Sequence, residues 1–378
     1  MTKKQTKSDS KFIPVFEPFI GFRDRWSVFR SISNKNISGT SPVVSKFENE
    51  FAALNNRQYG IAVSNGSVAL DLSFASLELK EGDEVVLPSH TIISCLASVV
   101  RNNGTPVFCD VDKISWNMSL ENIQKVVTNK TKVILMVHTF GLVSDAIRIS
   151  KFCKENNIIL IEDAAEAHGQ IIDKKRCGSF GLISTFSFYA NKHVTTGEGG
   201  MVLTDSESTY KRVKQMRNLD FSTKRFQHDN LYWNYRLGGL QASLGLSQIK
   251  KLDKIITKKK QQGKIYHDLL SLNDDMVQLQ PIEYKGVSNH YWVFGVLLKN
   301  KGIRDRVIKD LLLNGIETRP FFYPLHLQNA LPSKFRNISQ NLDVSVNLGE
   351  NGLYLPMGNH INKNLQKRIV NTFRKVIS

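Results

Sequence analysis

Two runs of consecutive apolar residues constrain the fold of this chain more than any other feature. LysValIleLeuMetVal (132–137) and IleIleLeuIleGlu (158–162) each interrupt a more polar sequence with an unbroken apolar stretch. Strands that are buried on both faces show such runs, because helices cover both sides of a parallel sheet. A helical pattern at 143–156 separates the two runs, and shorter strands are predicted at 84–88 and 106–111. The alternation predicts an α/β domain with a doubly wound, mainly parallel sheet.

The length of 378 residues predicts more than one domain. The regular alternation loosens after about residue 205, and a long helical stretch from about 240 to 271 leads into a smaller alternating unit. We therefore expect a flexible basic tail at 1–11, a large domain at 12–250 and a small C-terminal α/β domain at 251–378.

The N-terminus and the cysteines bear on the cellular compartment. The first eleven residues lack the apolar core of a signal peptide, and no stretch approaches the roughly 18 apolar residues of a membrane helix. The four cysteines (Cys95, Cys109, Cys153, Cys177) show no CxxC and no metal-like spacing. These features predict a cytoplasmic protein with reduced thiols, no metal site and no membrane association.

The charge of the chain is strongly basic. It carries 51 Lys and Arg residues against 34 Asp and Glu residues, a formal net charge of +17. This excess fits a solvated lysine-biased surface, attraction of phosphorylated substrates, or nucleic-acid binding. No arginine-rich arm, aromatic RNA-binding motif or zinc finger accompanies the lysines. We therefore expect no nucleic-acid partner, and the other two alternatives stay open.

The segment SerAsnGlySer (64–67) lies where a predicted strand ends and a helix begins. The first N–H groups of a helix are free and its dipole is positive there, so Gly66 and Ser67 can bind a phosphate. The alternative is that Ser67 only caps its helix.

A second segment, IleIleLeuIleGluAspAlaAlaGluAlaHis (158–168), places acids where a buried strand ends. Open α/β sheets bind their ligands at this edge, and a carboxylate such as Asp163 can hold a cationic partner there. Alternatively, Glu162 and Asp163 simply open the following helix, where acids are favoured.

The third segment (186–200) places Lys192 between an aromatic strand-like run and a glycine-rich turn. A lysine that forms a Schiff base needs a partly desolvated site of this kind. A loop lysine that is merely solvated is the alternative. Taken in order, an anion-binding turn, a strand-end aspartate and a lysine are the groups that pyridoxal 5'-phosphate (PLP) requires.

With these segments in place, the sequence resembles the DegT/DnrJ/EryC1/StrS family of sugar aminotransferases from about Ile13 to the C-terminus. The motifs that carry the resemblance are SerGlyThrSerProValValSerLysPheGlu (38–48), SerAsnGlySerValAlaLeu (64–70), GlyAspGluValValLeuPro (82–88), GluAspAlaAlaGluAlaHisGly (162–169), SerPheTyrAlaAsnLys with ThrThrGlyGluGlyGly (187–200), AsnTyrArgLeu (234–237) and ArgProPhePheTyrPro with His (319–326). The last two motifs resemble the GDP-perosamine synthase branch most. The resemblance implies the aspartate-aminotransferase-like fold of PLP enzymes of fold type I.

The resemblance also implies roles for named residues. Lys192 would bind PLP as a Schiff base and, once freed, move the proton between the amino donor and the cofactor. Asp163 would pair with the pyridine nitrogen, and Glu166 would lie near the ring hydroxyl. Ile92 stands where many relatives stack an aromatic ring on the cofactor, and it would pack against the ring face.

The remaining implied roles concern the phosphate and the substrate. The phosphate would be bound by Gly66, Ser67, Ser187 and Asn234 of the partner subunit, so the active unit would be a homodimer with shared active sites. The nucleotide-sugar would meet the segment that carries Phe322, Tyr323 and His326.

The resemblance further implies the reaction. A sister branch of dehydratases carries His at the Schiff-base position, whereas the ThrThrGlyGluGly register here places Lys192 there and His193 one residue later. We therefore expect transfer of the amino group of L-glutamate to a nucleotide-linked 4-keto-6-deoxy sugar, most specifically GDP-4-keto-6-deoxy-D-mannose, giving GDP-perosamine. A 4-aminotransferase for a dTDP- or UDP-keto-sugar, a PLP-dependent sugar dehydratase and a non-catalytic protein of the same fold remain alternatives.

Overall fold

The computed structural model describes residues 12–143, 145–221, 226–271, 275–337 and 339–378, and the predicted basic tail at 1–11 lies outside them. The described helices are α1 (Phe22–Ser33), α2 (Pro42–Leu54), α3 (Gly66–Ala75), α4 (Ile93–Arg101), α5 (Leu120–Gln124), α6 (Ala146–Glu155), α7 (Glu207–Arg217), α8 (Gly239–Ile249), α9 (Leu252–Leu270), α10 (Arg304–Leu313), α11 (Asp343–Asn351) and α12 (Lys363–Ile377). The described strands are β1 (Tyr59–Val63), β2 (Glu84–Pro88), β3 (Thr105–Cys109), β4 (Thr131–Val137), β5 (Ile159–Asp163), β6 (Ile171–Ile172), β7 (Lys175–Arg176), β8 (Ile183–Ser187), β9 (Gly200–Thr204), β10 (Val277–Leu279), β11 (Glu283–Tyr284), β12 (Val287–Ser288), β13 (Phe294–Leu298), β14 (Arg319–Pro320) and β15 (Gly352–Leu355).

A seven-stranded sheet forms the centre of the larger part of the molecule, in the order β1-β9-β8-β5-β4-β2-β3. Strand β9 pairs antiparallel with both of its neighbours, and the remaining pairs are parallel. The two apolar runs that predicted buried strands are β4 and β5, and nearly all of their residues are buried. The prediction of an α/β fold with a mainly parallel sheet is confirmed.

Helix α2 shows how packing on this sheet positions the loops that follow it. The helix begins with Pro42 at its first turn, a position where the missing N–H costs nothing. Its apolar residues recur at helical spacing, and Phe47 and Phe51 lie with their ring centres 5.1 and 5.0 Å from that of Phe188. All three rings are buried, and burying one such side chain stabilises the fold by about 1.5–3 kcal/mol. The backbone that leads from β8 towards Lys192 is therefore anchored in the core.

The C-terminal part is built on an antiparallel sheet in the order β10-β13-β15-β14. The long helical stretch predicted from about 240 to 271 is in fact two helices that are separated at residues 250–251. The break allows α8 to pack on α1 and α2, while α9 packs on α12 beside the smaller sheet. The predicted domain boundary near residue 250 falls at this break and stays a prediction.

Helix α9, with 19 residues, is the longest described helix, and lysines interrupt it throughout. Within the described residues, no helix has the length and apolar character needed to cross a membrane.

Candidate active site

Three chain segments that follow strands meet at one edge of the seven-stranded sheet. They are the turn after β1, the segment after β5 and the loop that joins β8 to β9. Because β1, β5 and β8 run in the same direction, their carboxyl ends lie at the same edge, where open α/β sheets bind ligands. A cleft of about 490 Å³ opens there. Most of the predicted site residues line it, namely Gly66, Ser67, Ile92, Asp163, Glu166, Ser187, Lys192 and Phe322.

The turn after β1 forms a corner that suits an anion. The side chain of Asn65 accepts a hydrogen bond of 2.9 Å from the backbone N–H three residues further on, so Asn65 and not Ser67 caps α3. The hydroxyl of Ser67 lies instead 2.6 Å from the hydroxyl of Ser94. A Cβ on Gly66 would lie 2.8 Å from the Cβ of Ser187, so glycine is needed for this close approach. Three serines therefore line the cleft next to the N-terminus of α3, where backbone N–H groups attract phosphate.

Asp163 ends β5 and is 3% exposed. One carboxylate oxygen accepts a hydrogen bond of 3.0 Å from the N–H of Ala165, and the other meets the thiol of Cys95 at 3.6 Å. Burial raises the pKa of Asp163, and the N–H of Ala165 and the charge of Lys192 oppose that rise. A cationic N–H group beside the carboxylate would offset the loss of solvation, because an opposite charge stabilises the ionised form.

Lys192 reaches the same cleft from the loop between β8 and β9. A hydrogen bond of 2.8 Å from Phe188 N–H to the carbonyl of Gly199 closes the base of this loop. The lysine Nζ lies 3.3 Å from Oε1 of Glu166 and 3.8 Å from the centre of the Trp292 ring. Only 10% of the lysine side chain is exposed. Lys192 is thus held in a partly desolvated site, and it is not a solvated loop lysine.

Glu166 connects Lys192 to the loop after β4. Its Oε2 accepts a hydrogen bond of 2.8 Å from Phe140 N–H, while Oε1 faces the lysine. Burial raises the pKa of Glu166, and the charge of Lys192 opposes this effect.

The next residue along the chain, His193, points elsewhere. Its Nε2 lies 3.2 Å from the carbonyl oxygen of His290, the ring is buried, and the residue does not line the cleft. The loop therefore presents one of these two neighbouring side chains to the cleft, and it is Lys192.

Glu162, one residue before Asp163, supports the site from behind. It is fully buried, with Oε1 2.9 Å from Nε2 of His138 and 2.6 Å from Gly178 N–H, and Oε2 2.8 Å from Phe180 N–H. Burial favours the neutral acid, but these hydrogen bonds outweigh it and lower the pKa of Glu162. His138 itself lines the cleft, so this carboxylate holds a wall of the site in place.

We expect Glu162→Gln to destabilise the fold by about 1–3 kcal/mol at neutral pH, because it weakens hydrogen bonds to a charged acceptor and leaves a buried N–H donor unsatisfied. The glutamine amide has one acceptor oxygen, whereas both oxygens of the Glu162 carboxylate accept hydrogen bonds from backbone N–H groups. Since folding lowers this pKa, the contribution of Glu162 is complete above the ordinary glutamate pKa of 4.5 and is lost as the pH falls from there towards the lower folded-state pKa. Urea unfolding at pH 7 and pH 4 measures both effects.

The matched control for this prediction is Glu155→Gln in the preceding helix. That carboxylate is exposed and lies 3.8 Å from Lys151, so the change should cost less than about 1 kcal/mol. Equal stability of Glu162→Gln and wild type at pH 7 would contradict the supporting role.

Three predicted site residues lie outside the lining of the cleft. Asn234 is exposed and pairs with Asn218 in an isolated bridge. Tyr323 is 50% exposed. His326 is half-buried, with Nδ1 2.6 Å from the hydroxyl of Ser89. Their predicted roles towards the phosphate and the nucleotide-sugar therefore stay predictions.

The residues that line the cleft without having been singled out from the sequence include Ser94, His138, Trp292 and Tyr354. Ser94 could have been noticed, because it lies in the first turn of α4, two residues after Ile92. The others come from distant parts of the chain. The only sequence feature that could have drawn attention to Trp292 is the aromatic cluster HisTyrTrpValPhe (290–294). Burial raises the pKa of Tyr354 to about 12, so its hydroxyl stays protonated at neutral pH.

Comparison with known proteins places this geometry in context. The model of the DegT/DnrJ/EryC1/StrS aminotransferase family matches residues 23–374. A GDP-perosamine synthase of Escherichia coli O157:H7 is 37% identical over 92% of this chain and 93% of its own length, and one of Vibrio cholerae is 35% identical over 83% and 86%. Among solved structures, the aminotransferase TlmJ from Streptoalloteichus hindustanus has a TM-score of 0.90 at 25% identity and covers 97% of this chain and 99% of its own. An aminotransferase from Psychrobacter cryohalolentis has a TM-score of 0.88 at 27% identity and covers 97% of this chain and 100% of its own.

Proposed function

This chain belongs to the DegT/DnrJ/EryC1/StrS aminotransferase family, and we propose on that basis that it moves the amino group of L-glutamate onto a nucleotide-linked 4-keto-6-deoxy sugar. The proposed acceptor is GDP-4-keto-6-deoxy-D-mannose, which gives GDP-perosamine. The similarity to two GDP-perosamine synthases over most of their length supports this acceptor. The observation that carries the proposal is the placement of Lys192 in one cleft with Asp163 and the turn at Gly66 and Ser67.

Aminotransferases of this family use PLP, and the residues of the cleft fit that group. The close approach of Gly66 to Ser187 leaves a corner of hydroxyls and N–H groups for the phosphate. Asp163 offers a buried carboxylate for the protonated ring nitrogen, and among the described residues one of its oxygens has the Cys95 thiol as its hydrogen-bond partner. When bound, PLP supplies an electron sink that makes the Cα–H bond of an amino donor acidic.

The proposed work of the protein is to hold groups and to move protons. Asp163 would keep a proton on the ring nitrogen, Glu166 would lie beside the ring hydroxyl, and Ile92 would pack against the ring face. The amine of Lys192 would hold the cofactor covalently and, when free, would carry the proton away from Cα of the donor as a general base. The indole ring of Trp292 stabilises the ammonium form of Lys192 when that side chain is not bound to the cofactor, because a cation over an indole face is favourable.

The placement of Lys192 and His193 supports transamination over the dehydratase alternative. A lysine lines the cleft at the position where the dehydratase branch would need histidine, and His193 is turned towards the carbonyl of His290. The same observation argues against a non-catalytic protein of this fold.

The acceptor is tested by absorbance spectroscopy on the purified protein. We expect a yellow band from the lysine-bound cofactor, which bleaches when L-glutamate is added. Its return on addition of GDP-, dTDP- or UDP-linked 4-keto-6-deoxy sugars then identifies the acceptor, and GDP-4-keto-6-deoxy-D-mannose is expected to restore it fastest. A protein that stays colourless with added PLP would overturn the aminotransferase proposal, and a faster return with a dTDP- or UDP-sugar would overturn the GDP assignment.

Asn234 carries a prediction about the proposed homodimer. Its exposed position, outside the cleft of its own chain, is consistent with a contact to the phosphate in the partner subunit's site. We expect Asn234→Ala and Lys192→Ala each to be inactive or nearly so. In hybrid dimers made from the two variants, one of the two sites carries both native residues. A refolded one-to-one mixture should therefore recover about a quarter of wild-type activity. A mixture no more active than its components would contradict a shared site.

A further inference from the structure

A small second cavity lies directly beside the cleft. Its volume is about 90 Å³, and it shares Asn191, Lys192, Trp292 and Tyr354 with the cleft. Helix α9, the segment 15–19 and the segment 355–359 form most of its other walls. A space of this size accepts a few water molecules, or a carboxylate with its methylene groups, but it is far too small for a nucleotide.

Lys259 brings an incompletely bonded positive charge to this cavity. The side chain extends from α9 and is 9% exposed, and its Nζ donates a hydrogen bond of 2.6 Å to the carbonyl of Trp292. An ammonium group has three N–H donors. In the part of the chain that the structure describes, Lys259 forms no second hydrogen bond and no ion pair. The neighbouring Lys258 differs, since its ammonium meets two oxygens of Asn359 at 2.8 and 2.7 Å.

The charges around the cavity favour an anion. Its described lining contains four lysines, Lys192, Lys254, Lys258 and Lys259, and a single acid, Glu17, which is exposed. Burial, and then the charge of Lys192, lower the pKa of Lys259 to about 7. A buried cation without a counter-ion is costly, and a carboxylate placed beside it would restore its charged form.

We propose that this cavity binds the side-chain carboxylate of the amino donor and that Lys259 is the residue that recognises it. The inference rests on the proposed function, because the donor must present its Cα to Lys192. An acidic amino acid bound there directs its second carboxylate into the adjoining cavity, where the two unused N–H groups of Lys259 donate to it. Such charge-assisted hydrogen bonds make Lys259 a determinant of preference for acidic over neutral donors.

The test compares Lys259→Met with Lys264→Met in the holoenzyme. Lys264 lies on the same helix with a 68% exposed side chain, so it controls for loss of a lysine from α9. Bleaching of the yellow band gives the half-saturating donor concentration. We expect Lys259→Met to raise this concentration for L-glutamate by about 10- to 100-fold and to change that for L-alanine less than about twofold. The reverse half-reaction with the amino-sugar product should be unchanged.

Two results would overturn the proposal. An unchanged response to glutamate would remove Lys259 from donor recognition. An equal loss with glutamate, alanine and the amino-sugar would show that Lys259 only supports Trp292.

A binding measurement separates this inference from the proposed function. Calorimetry on the wild-type holoenzyme should show that glutarate binds at least about 10-fold more tightly than its uncharged diamide, and that Lys259→Met removes the difference. Absence of glutarate binding to the wild type would overturn the carboxylate site. If glutarate binds as expected while no keto-sugar restores the yellow band, the proposed acceptor chemistry fails and the carboxylate site stands.

Discussion

Lys192→Ala is expected to fold, to bind PLP without a covalent link and to lose turnover by at least about 10³-fold, because proton transfer by a positioned base alone contributes ~10²–10⁴. The side chain is the one amine held at Glu166 and Trp292 in the cleft of the described structure. Borohydride reduction followed by peptide mass spectrometry should label the Lys192 peptide in the wild type and no peptide in the variant. Clear turnover by the variant would contradict the assignment.

Two controls make the loss in Lys192→Ala specific. Lys264→Ala changes an exposed lysine and should retain both the yellow band and full turnover. A small primary amine such as methylamine should partly restore bleaching by glutamate in Lys192→Ala, because it can take the place of the missing base. Failure of the amine at every concentration, with the cofactor bound, would favour a structural role for Lys192.

Asp163→Asn is expected to slow the glutamate half-reaction by about 10- to 100-fold, since a hydrogen bond to a charged group is worth about 1.5–3 kcal/mol. Asparagine keeps an oxygen for the hydrogen bond from Ala165 N–H, so the change isolates the negative charge. Stopped-flow absorbance gives the rate constant. The exposed Asp253→Asn serves as the control and should match the wild type.

Reconstitution with N-methyl PLP tests the reason for the loss in Asp163→Asn. This analogue carries a permanent positive charge on the ring nitrogen, so it does not need Asp163 to hold a proton there. The variant should therefore come closer to wild type with the analogue than with PLP. A variant that is equally slow with both cofactors, or as fast as the wild type with PLP, would show that the charge of Asp163 has another role.

The sequence predicted the sheet and the chemical groups at its edge better than it predicted their surroundings. The apolar runs of β4 and β5 identified buried parallel strands, because strands covered on both faces have no polar alternation. Asp163 is the last residue of β5, and the turn at Gly66 and Ser67 follows β1, so topology alone brings them to one edge.

Features that depend on packing between distant segments could not be predicted in this way. The desolvation of Lys192 comes from Trp292, far along the chain, and no local spacing connects the two. Ser67 was one predicted cap of α3, but the helix begins at Gly66 and Asn65 caps it. Asn and Ser are both common at this position, so the residue types alone do not distinguish them. The break after α8 has no proline or glycine to mark it and follows from the different packing partners of α8 and α9.

The antiparallel insertion of β9 has a consequence for the order in which the molecule assembles. Val63 pairs with Gly200, so β1 stays unpaired until the ribosome has synthesised the chain beyond β9. Contacts between such distant segments form late, because a long loop must be closed before any pairing rewards it. The same pairing brings Gly200 so close to Asn65 that a Cβ added to Gly200 would lie 2.4 Å from the Asn65 carbonyl oxygen. This contact joins the anion-binding turn to the lysine loop. The turn at Gly66 and Ser67 therefore joins the lysine loop only after β1 has paired with β9. We expect competence to bind PLP to arise with that late pairing, which PLP itself can favour by mass action.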